Sequence, residues 1–85
     1  MGLTHKKLHA LRTATTNAAG NRIAAALKIA DVTQAELAEA IGMTQGYVSN
    51  VATGKHTVIV DNAHKFAEFF GCAIEDLFPA RQEVA

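Results

Sequence analysis

Apolar residues recur along most of the chain at intervals of three or four positions, the spacing that places side chains on one face of an α-helix. Four such stripes follow one another: Ile23, Leu27 and Ala30, then Leu37, Ala38 and Ile41, then Val48 and Val51, then Ala63, Phe66, Ala67 and Phe70. A last apolar group at 74–78 predicts a short closing helix, because Pro79 prevents its continuation. The pattern therefore predicts an all-α chain of five or six short helices.

Capping residues mark where the second and third stripes begin and end. Thr33 and Glu36 have the spacing of a capping box, in which each side chain accepts a hydrogen bond from the other residue's amide. Gly42 suits the left-handed conformation that often ends a helix, and Thr44 is a cap for the helix that follows. Two short helices joined by a glycine turn predict a helix-turn-helix motif, whose second helix can enter the major groove of duplex DNA.

The second helix of this motif has a polar outer face. Val48 and Val51 form its inner face, and the positions predicted to point outward are Gln45, Gly46, Tyr47, Ser49 and Asn50. Glutamine and asparagine pair with adenine edges, whereas serine and threonine bind base edges or phosphates. The alternative is a face that is merely solvated. The two caps and the glycine turn, in register within an all-α chain, favour DNA binding.

The order and spacing of these features resemble the Cro and phage-repressor type of helix-turn-helix regulators, also called the XRE or lambda-repressor-like family. The similar segments lie at 22–27, 32–38, 42–45, 48–51, 54–55 and 66–78, and the last contains the closure Gly-x-x-Ile-Glu-Asp-Leu-Phe. The resemblance covers about residues 18–79. It implies a compact five-helix bundle and a transcriptional regulator, most simply a repressor that binds a palindromic operator as a dimer.

The resemblance also implies which residues contact DNA: Gln34, Thr44, Gln45, Gly46, Tyr47, Asn50 and Lys55. Family members use the glutamine at the Gln34 position to brace the DNA backbone, and Lys55 occupies a loop position that lies over phosphate. The chain departs from the family because its second motif helix carries no arginine or lysine. Val58 and Ile59 also stand where a proline and a serine cap commonly precede the fourth helix.

Charge is distributed unevenly along a chain whose formal net charge is zero. Residues 1–28 contain five basic residues and no acid, whereas residues 29–85 contain three basic residues and eight acids. The amino-terminal third is therefore the expected partner of DNA phosphates, and Lys6, Lys7 and Arg22 are its candidate contacts. The alternative is a solvated basic tail that binds nothing.

The predicted organisation has three parts: a basic arm or extra helix at 1–17, a helix-turn-helix domain at 18–79 and a tail at 80–85. Thr4 can cap a short helix that carries Leu8 and Leu11, although the threonines and Asn17 that follow favour a break. The first segment is thus either a flexible arm or a sixth helix. In either form we expect it to touch the DNA backbone or minor groove.

Several apolar residues exceed what a small core is expected to need: Ile29, Val58, Ile59, Val60 and Phe69. Surplus apolar surface indicates a partner. Because operators in this family are commonly two-fold palindromes, we predict a homodimer with recognition helices about 34 Å apart. The alternative is that residues 58–60 form a buried connector beneath the loop.

Other chemistries find little support in the sequence. His5 and His9 share a helix face but lack a third metal ligand at useful spacing, and Cys72 is interpreted as a buried thiol. We therefore expect no enzymatic activity, cofactor, metal or small-molecule substrate. One cysteine and the lack of a leader or long apolar run predict a cytoplasmic protein without membrane contact. The competing function is a protein-interaction adaptor or antitoxin that uses the same fold with little DNA readout.

Overall fold

The computed structural model describes residues 2–79, and within that range it contains helices and no strand. The six helices are α1 His5–Arg12, α2 Ile23–Ala30, α3 Gln34–Ile41, α4 Gln45–Ala52, α5 Val60–Phe70 and α6 Ile74–Leu77. The predicted all-α bundle is confirmed. None of the six helices has the length and apolar character needed to cross a membrane. The tail predicted at 80–85 lies outside the described residues.

Side-chain caps begin three of the helices as the sequence predicts. The hydroxyls of Thr4, Thr33 and Thr44 accept hydrogen bonds from the amides three residues on, at 3.2, 3.0 and 3.0 Å. Gly42 ends α3 in the left-handed conformation, with a φ of 74°. Helix α5 begins after Ile59 without a side-chain cap, at the position where the chain departs from the family pattern.

The helices enclose one core with aromatic rings at its centre. Phe66 and Phe70 are completely buried, and the ring of Phe66 meets the edge of Phe78 with centroids 6.0 Å apart. Leu11 and Leu37 are also completely buried, although they lie on helices at opposite ends of the sequence. Burying side chains of this size stabilises the fold by about 1.5–3 kcal/mol each.

The apolar residues regarded as surplus divide into buried and exposed ones. Val58 is only 1% exposed and belongs to the core, so its interpretation as surplus was wrong. Ile29 and Phe69 pack partly against the core. Ile59 and Val60 are 58% and 44% exposed. The chain is extended at Ile59 (φ −74°, ψ 161°), and side chains that follow one another in an extended segment point to opposite sides.

Residues 5–12 form a helix, so of the two alternatives for this segment the structure contains the sixth helix. Helix α1 packs against α2 and α6, and its Leu11 is fully buried. Arg12 Nε donates a hydrogen bond to Asp76 Oδ1 at 2.7 Å, which links the end of α1 to α6. Helix α1 is therefore part of the bundle.

Candidate nucleic-acid interface

The turn between α3 and α4 is held by interactions at both of its ends. At the start of α3, the Thr33 amide donates to Glu36 Oε1 at 2.9 Å and the Glu36 amide donates to Thr33 Oγ1. The hydrogen bond from the Thr33 amide lowers the pKa of the Glu36 carboxyl. At the end of α3, the Met43 amide donates to the Ala38 carbonyl at 2.9 Å. These contacts fix where α4 begins.

The first turn of α4 is the most exposed part of the motif. Thr44, Gln45 and Gly46 are all exposed, and the Thr44 hydroxyl accepts from the amide of Tyr47. The amino terminus of a helix carries a partial positive charge and amides that can bind phosphate oxygens. The turn therefore offers a glutamine side chain and helix amides to a ligand on the same surface.

Tyr47 does not point outward as the sequence pattern suggested. It is half-buried, its ring stacks on Phe66 with centroids 6.3 Å apart, and its phenol oxygen accepts from Asn62 Nδ2 at 3.1 Å. The helical periodicity could not locate this contact, because Phe66 and Asn62 belong to α5. Tyr47 therefore fastens α4 to α5, and its predicted DNA contact is limited to the exposed part of the side chain.

The last turn of α4 positions the loop that carries Lys55. Ser49 and Asn50 are half-buried, and the Asn50 carbonyl accepts from the amides of Lys55 and His56 at 2.8 and 3.2 Å. Lys55 itself is exposed. A cation is thus held at the carboxy-terminal end of α4, while Gln45 stands at its amino-terminal end.

The remaining candidate contacts lie on α1, α2 and α3. Gln34 is the first residue of α3 and is half-buried, and Lys6 and Lys7 are exposed on α1. Arg22 is bound within the protein: its Nε donates to the Ala14 carbonyl at 2.9 Å, and its Nη1 donates to the Asp76 carbonyl at 3.2 Å. Arg22 therefore braces the bundle, which leaves less of its guanidinium for phosphate than the charge count implied.

Two asparagines ahead of α2 contribute to the site, although the sequence interpretation did not include them. The side-chain nitrogens of Asn17 and Asn21 both donate to the Val51 carbonyl at 3.1 Å, at the end of α4. Asn21 is only 1% exposed. The signal in the sequence was a pair of asparagines around Gly20, which was interpreted only as a helix break.

Reactive groups are few in the part of the chain that the structure describes. Cys72 is half-buried, and burial raises the pKa of its thiol to about 11, with the negative charge of Asp76 adding to the effect. A protonated thiol is a poor nucleophile, in agreement with the interpretation of Cys72 as structural. Within residues 2–79 no three ligand-type side chains converge in a group that could hold a metal ion.

A helical bundle that presents the first turn of the second motif helix defines a class of protein, the helix-turn-helix DNA-binding domains. A family model described as helix-turn-helix matches residues 23–77, and the chain belongs to this XRE or lambda-repressor-like family of DNA-binding regulators. The matched segment begins at α2, so α1 precedes it. A comparison with curated proteins gives no match.

Proposed function

We propose that the protein represses transcription by binding a palindromic operator as a homodimer, with α4 inserted in the major groove. The observation that carries this proposal is the exposed first turn of α4, where Gln45 stands on a helix whose other residues are anchored in the core. Glutamine in this position can form paired hydrogen bonds with an adenine edge. Asn50 is the second side chain proposed to read bases.

Phosphate contacts are proposed to come from groups around α4 rather than from α4 itself, because that helix carries no basic residue. Lys55 follows the helix, and the amides and hydroxyl of the Thr44 turn precede it. Gln34, at the start of α3, is proposed to brace the backbone between them. Lys6 and Lys7 on α1 extend the basic surface. Few phosphate contacts predict a shallow dependence of affinity on salt.

The exposed pair Ile59 and Val60 supports the homodimer, since large apolar side chains at the surface are common where proteins associate. In a two-fold dimer the same patch of each copy meets its counterpart. Such an arrangement would place two α4 helices about one turn of duplex apart, about 34 Å, and would account for a palindromic site.

Selection of binding sites from a pool of random duplexes tests the proposal directly. We expect enrichment of a palindrome whose half-sites are one helical turn apart and contain adenines that depend on Gln45. The control is a pool in which the central positions are fixed, so that spacing is measured independently of base preference. No enrichment at low salt would contradict the proposal.

A second candidate is an adaptor or antitoxin that binds another protein through the same fold. The net charge of zero and the absence of basic residues from α4 favour it. A pool without enrichment, together with binding to duplex DNA that is weak at every salt concentration, would support the adaptor over the repressor.

A further inference from the structure

Asn17 and Asn21 form a polar clasp on the carboxy-terminal end of α4. Asn17 Nδ2 donates to the carbonyls of Val51 and Ala52 at 3.1 and 3.0 Å, and Asn21 Nδ2 donates to the same Val51 carbonyl at 3.1 Å. The last carbonyls of a helix have no partner within it, so they accept from side chains that reach them. The clasp thus binds α4 from outside the helix-turn-helix pair.

The clasp is itself held in place by its own segment. Asn17 Oδ1 accepts from the amides of Ala19 and Asn21 at 2.9 and 3.1 Å, and Asn17 Nδ2 also donates to Asn21 Oδ1 at 3.0 Å. Asn21 Oδ1 in turn accepts from the amide of Ile23 at 3.0 Å, at the start of α2. The side chains that grip α4 are therefore fixed relative to α2.

Close packing reinforces the hydrogen bonds. Gly54 follows α4 with a φ of +84°, and a Cβ atom on it would lie 3.1 Å from the backbone nitrogens of Ala18 and Ala19. The loop that carries Lys55 and the segment that carries Asn17 therefore touch through their backbones. Only glycine allows both the positive φ and this approach.

We propose that Asn17 and Asn21 are positioning residues for DNA recognition, which set the angle at which α4 leaves the bundle. The inference rests on the proposed DNA binding. The inner face of α4 is small and apolar (Val48, Val51 and Ala52), and apolar contacts have little directionality, whereas hydrogen bonds to three amide hydrogens do. An eight-residue helix is about 12 Å long, so a tilt of about 5° at one end moves the other by about 1 Å. Such a shift breaks hydrogen bonds to base edges but leaves longer-range attraction to phosphates almost unchanged.

The test compares Asn17→Asp with Ala18→Asp. Both variants add one negative charge at neighbouring positions, but only Asn17→Asp removes the donors to α4 while keeping the Oδ1 acceptor for Ala19 and Asn21. Ala18 is exposed. The measured quantity is the ratio of affinity for the selected site to affinity for a random duplex at one salt concentration. We expect Asn17→Asp to lower this ratio about tenfold and Ala18→Asp to leave it within about twofold of the original.

A neutral variant separates positioning from stability. Asn17→Ala carries no new charge, and Phe70→Leu weakens the buried core at the far end of α5 without touching the clasp. We expect Asn17→Ala to lower the ratio and Phe70→Leu to leave it unchanged, at a temperature where circular dichroism shows both to be folded. Equal ratios for the two would overturn the inference. Failure of both Asn17 variants to fold would also overturn it, because the clasp would then serve the whole bundle. Failure of the proposed function is seen separately, as lack of site selection by the unaltered protein.

Discussion

Neighbouring residues of α4 have opposite tasks. Gln45 is exposed at the start of the helix, whereas Tyr47, two positions later, turns its ring onto Phe66 and its hydroxyl toward Asn62. Aromatic pairs of this kind contribute about 0.5–1.5 kcal/mol beyond their buried area. The base-reading side chain is therefore mounted on a turn whose next inward residue is locked, which reduces the entropy lost on binding.

Gln45 and Lys55 are predicted to affect binding in different ways. Gln45→Ala should cost about 1–3 kcal/mol on the selected site and relax the preference for adenine. Lys55→Ala should weaken all sequences alike and reduce the slope of log K against log salt by about one. Titrations of selected and random duplexes across salt measure both effects, with Lys65→Ala on α5 as the control cation. The prediction fails if Gln45→Ala weakens the random duplex as much as the selected one.

Asp76 is predicted to make stability depend on acidity. Burial alone raises the pKa of Asp76, but the hydrogen bonds from Arg12 and from the Ala73 amide outweigh it, so the pKa lies below its ordinary value of about 3.9. A lowered carboxyl pKa adds stability above the unfolded-state pKa, and this stability is lost as the pH falls through the folded-state pKa. The bundle should therefore lose stability below about pH 4.

Asp76→Asn isolates that contribution. The variant loses the charge and one acceptor, so its unfolding free energy at pH 7 should fall by about 1–2 kcal/mol. The exposed position of Arg12 keeps the effect from being larger, because solvent screens the pair. Urea unfolding at pH 7 and pH 2.5 should show the gap between the two proteins closing at the lower pH. A gap of equal size at both values would contradict the role given to the carboxylate, and Glu75→Gln, exposed on the same helix, is the control.

At the scale of whole elements, the helices could be predicted because their signals are local. The Thr33 capping box and the left-handed Gly42 depend on residues at most four positions apart, and both are present as the sequence indicated. Helix α1 remained ambiguous because its formation depends on distant partners: Leu11 fills the core, and Arg12 pairs with a residue 64 positions away. Short isolated helices are marginal in water, so tertiary contacts decide such cases.

Helix α4 contains a glycine whose presence the structure alone does not require. A Cβ atom on Gly46 would have no heavy atom within 4 Å, and the residue is helical and exposed. Gly46→Ala should therefore stabilise the protein by up to about 1 kcal/mol. If α4 enters the groove, the added methyl group should at the same time weaken binding to the selected site. Thermal unfolding and a titration measure the two effects, and improved stability with unchanged affinity would show that this turn does not approach DNA closely.

Helix α1 is predicted to contact phosphates through its lysines. Deleting residues 1–12 would remove Leu11 from the core, so charge removal is the better test. Lys6→Gln together with Lys7→Gln should weaken selected and random duplexes equally and reduce the salt slope by one to two contacts. Both side chains are exposed, so stability should change by less than about 0.5 kcal/mol. An unaltered slope would assign α1 a purely structural role, and Lys65→Gln controls for the general loss of charge.

At the scale of the whole molecule, the sequence predicted which residues are apolar but not which of them the fold covers. Val58 and Ile59 are adjacent and similar in character, yet one is buried and the other exposed, because an extended segment alternates its side chains. Arg22 was counted as free charge although it binds two carbonyls from distant segments. The candidate site was therefore predictable in its first turn, which depends on local caps, and not in the long-range contacts that hold that turn.

The homodimer leads to a prediction in which two measured quantities move in opposite directions. Ile59 is 58% exposed and is also the uncapped residue at the start of α5. Ile59→Asp gives that helix a capping side chain, which should stabilise the isolated chain by about 0.5–1 kcal/mol. The same change places a charge in the proposed dimer contact, where an unpaired charge is costly.

Sedimentation at micromolar concentration and thermal unfolding at low concentration measure the two effects together. We expect the unaltered protein to sediment as a dimer and Ile59→Asp to sediment as a monomer with a higher melting temperature. Thr57→Asp, also exposed but two residues before the cap, should keep the dimer and gain no stability. Two outcomes would remove the dimer from the proposal: an unaltered protein that is monomeric with and without DNA, or an Ile59→Asp variant that remains dimeric. In the second case the exposed pair would lie away from the contact between copies, and the palindrome would have to arise from another face of the bundle.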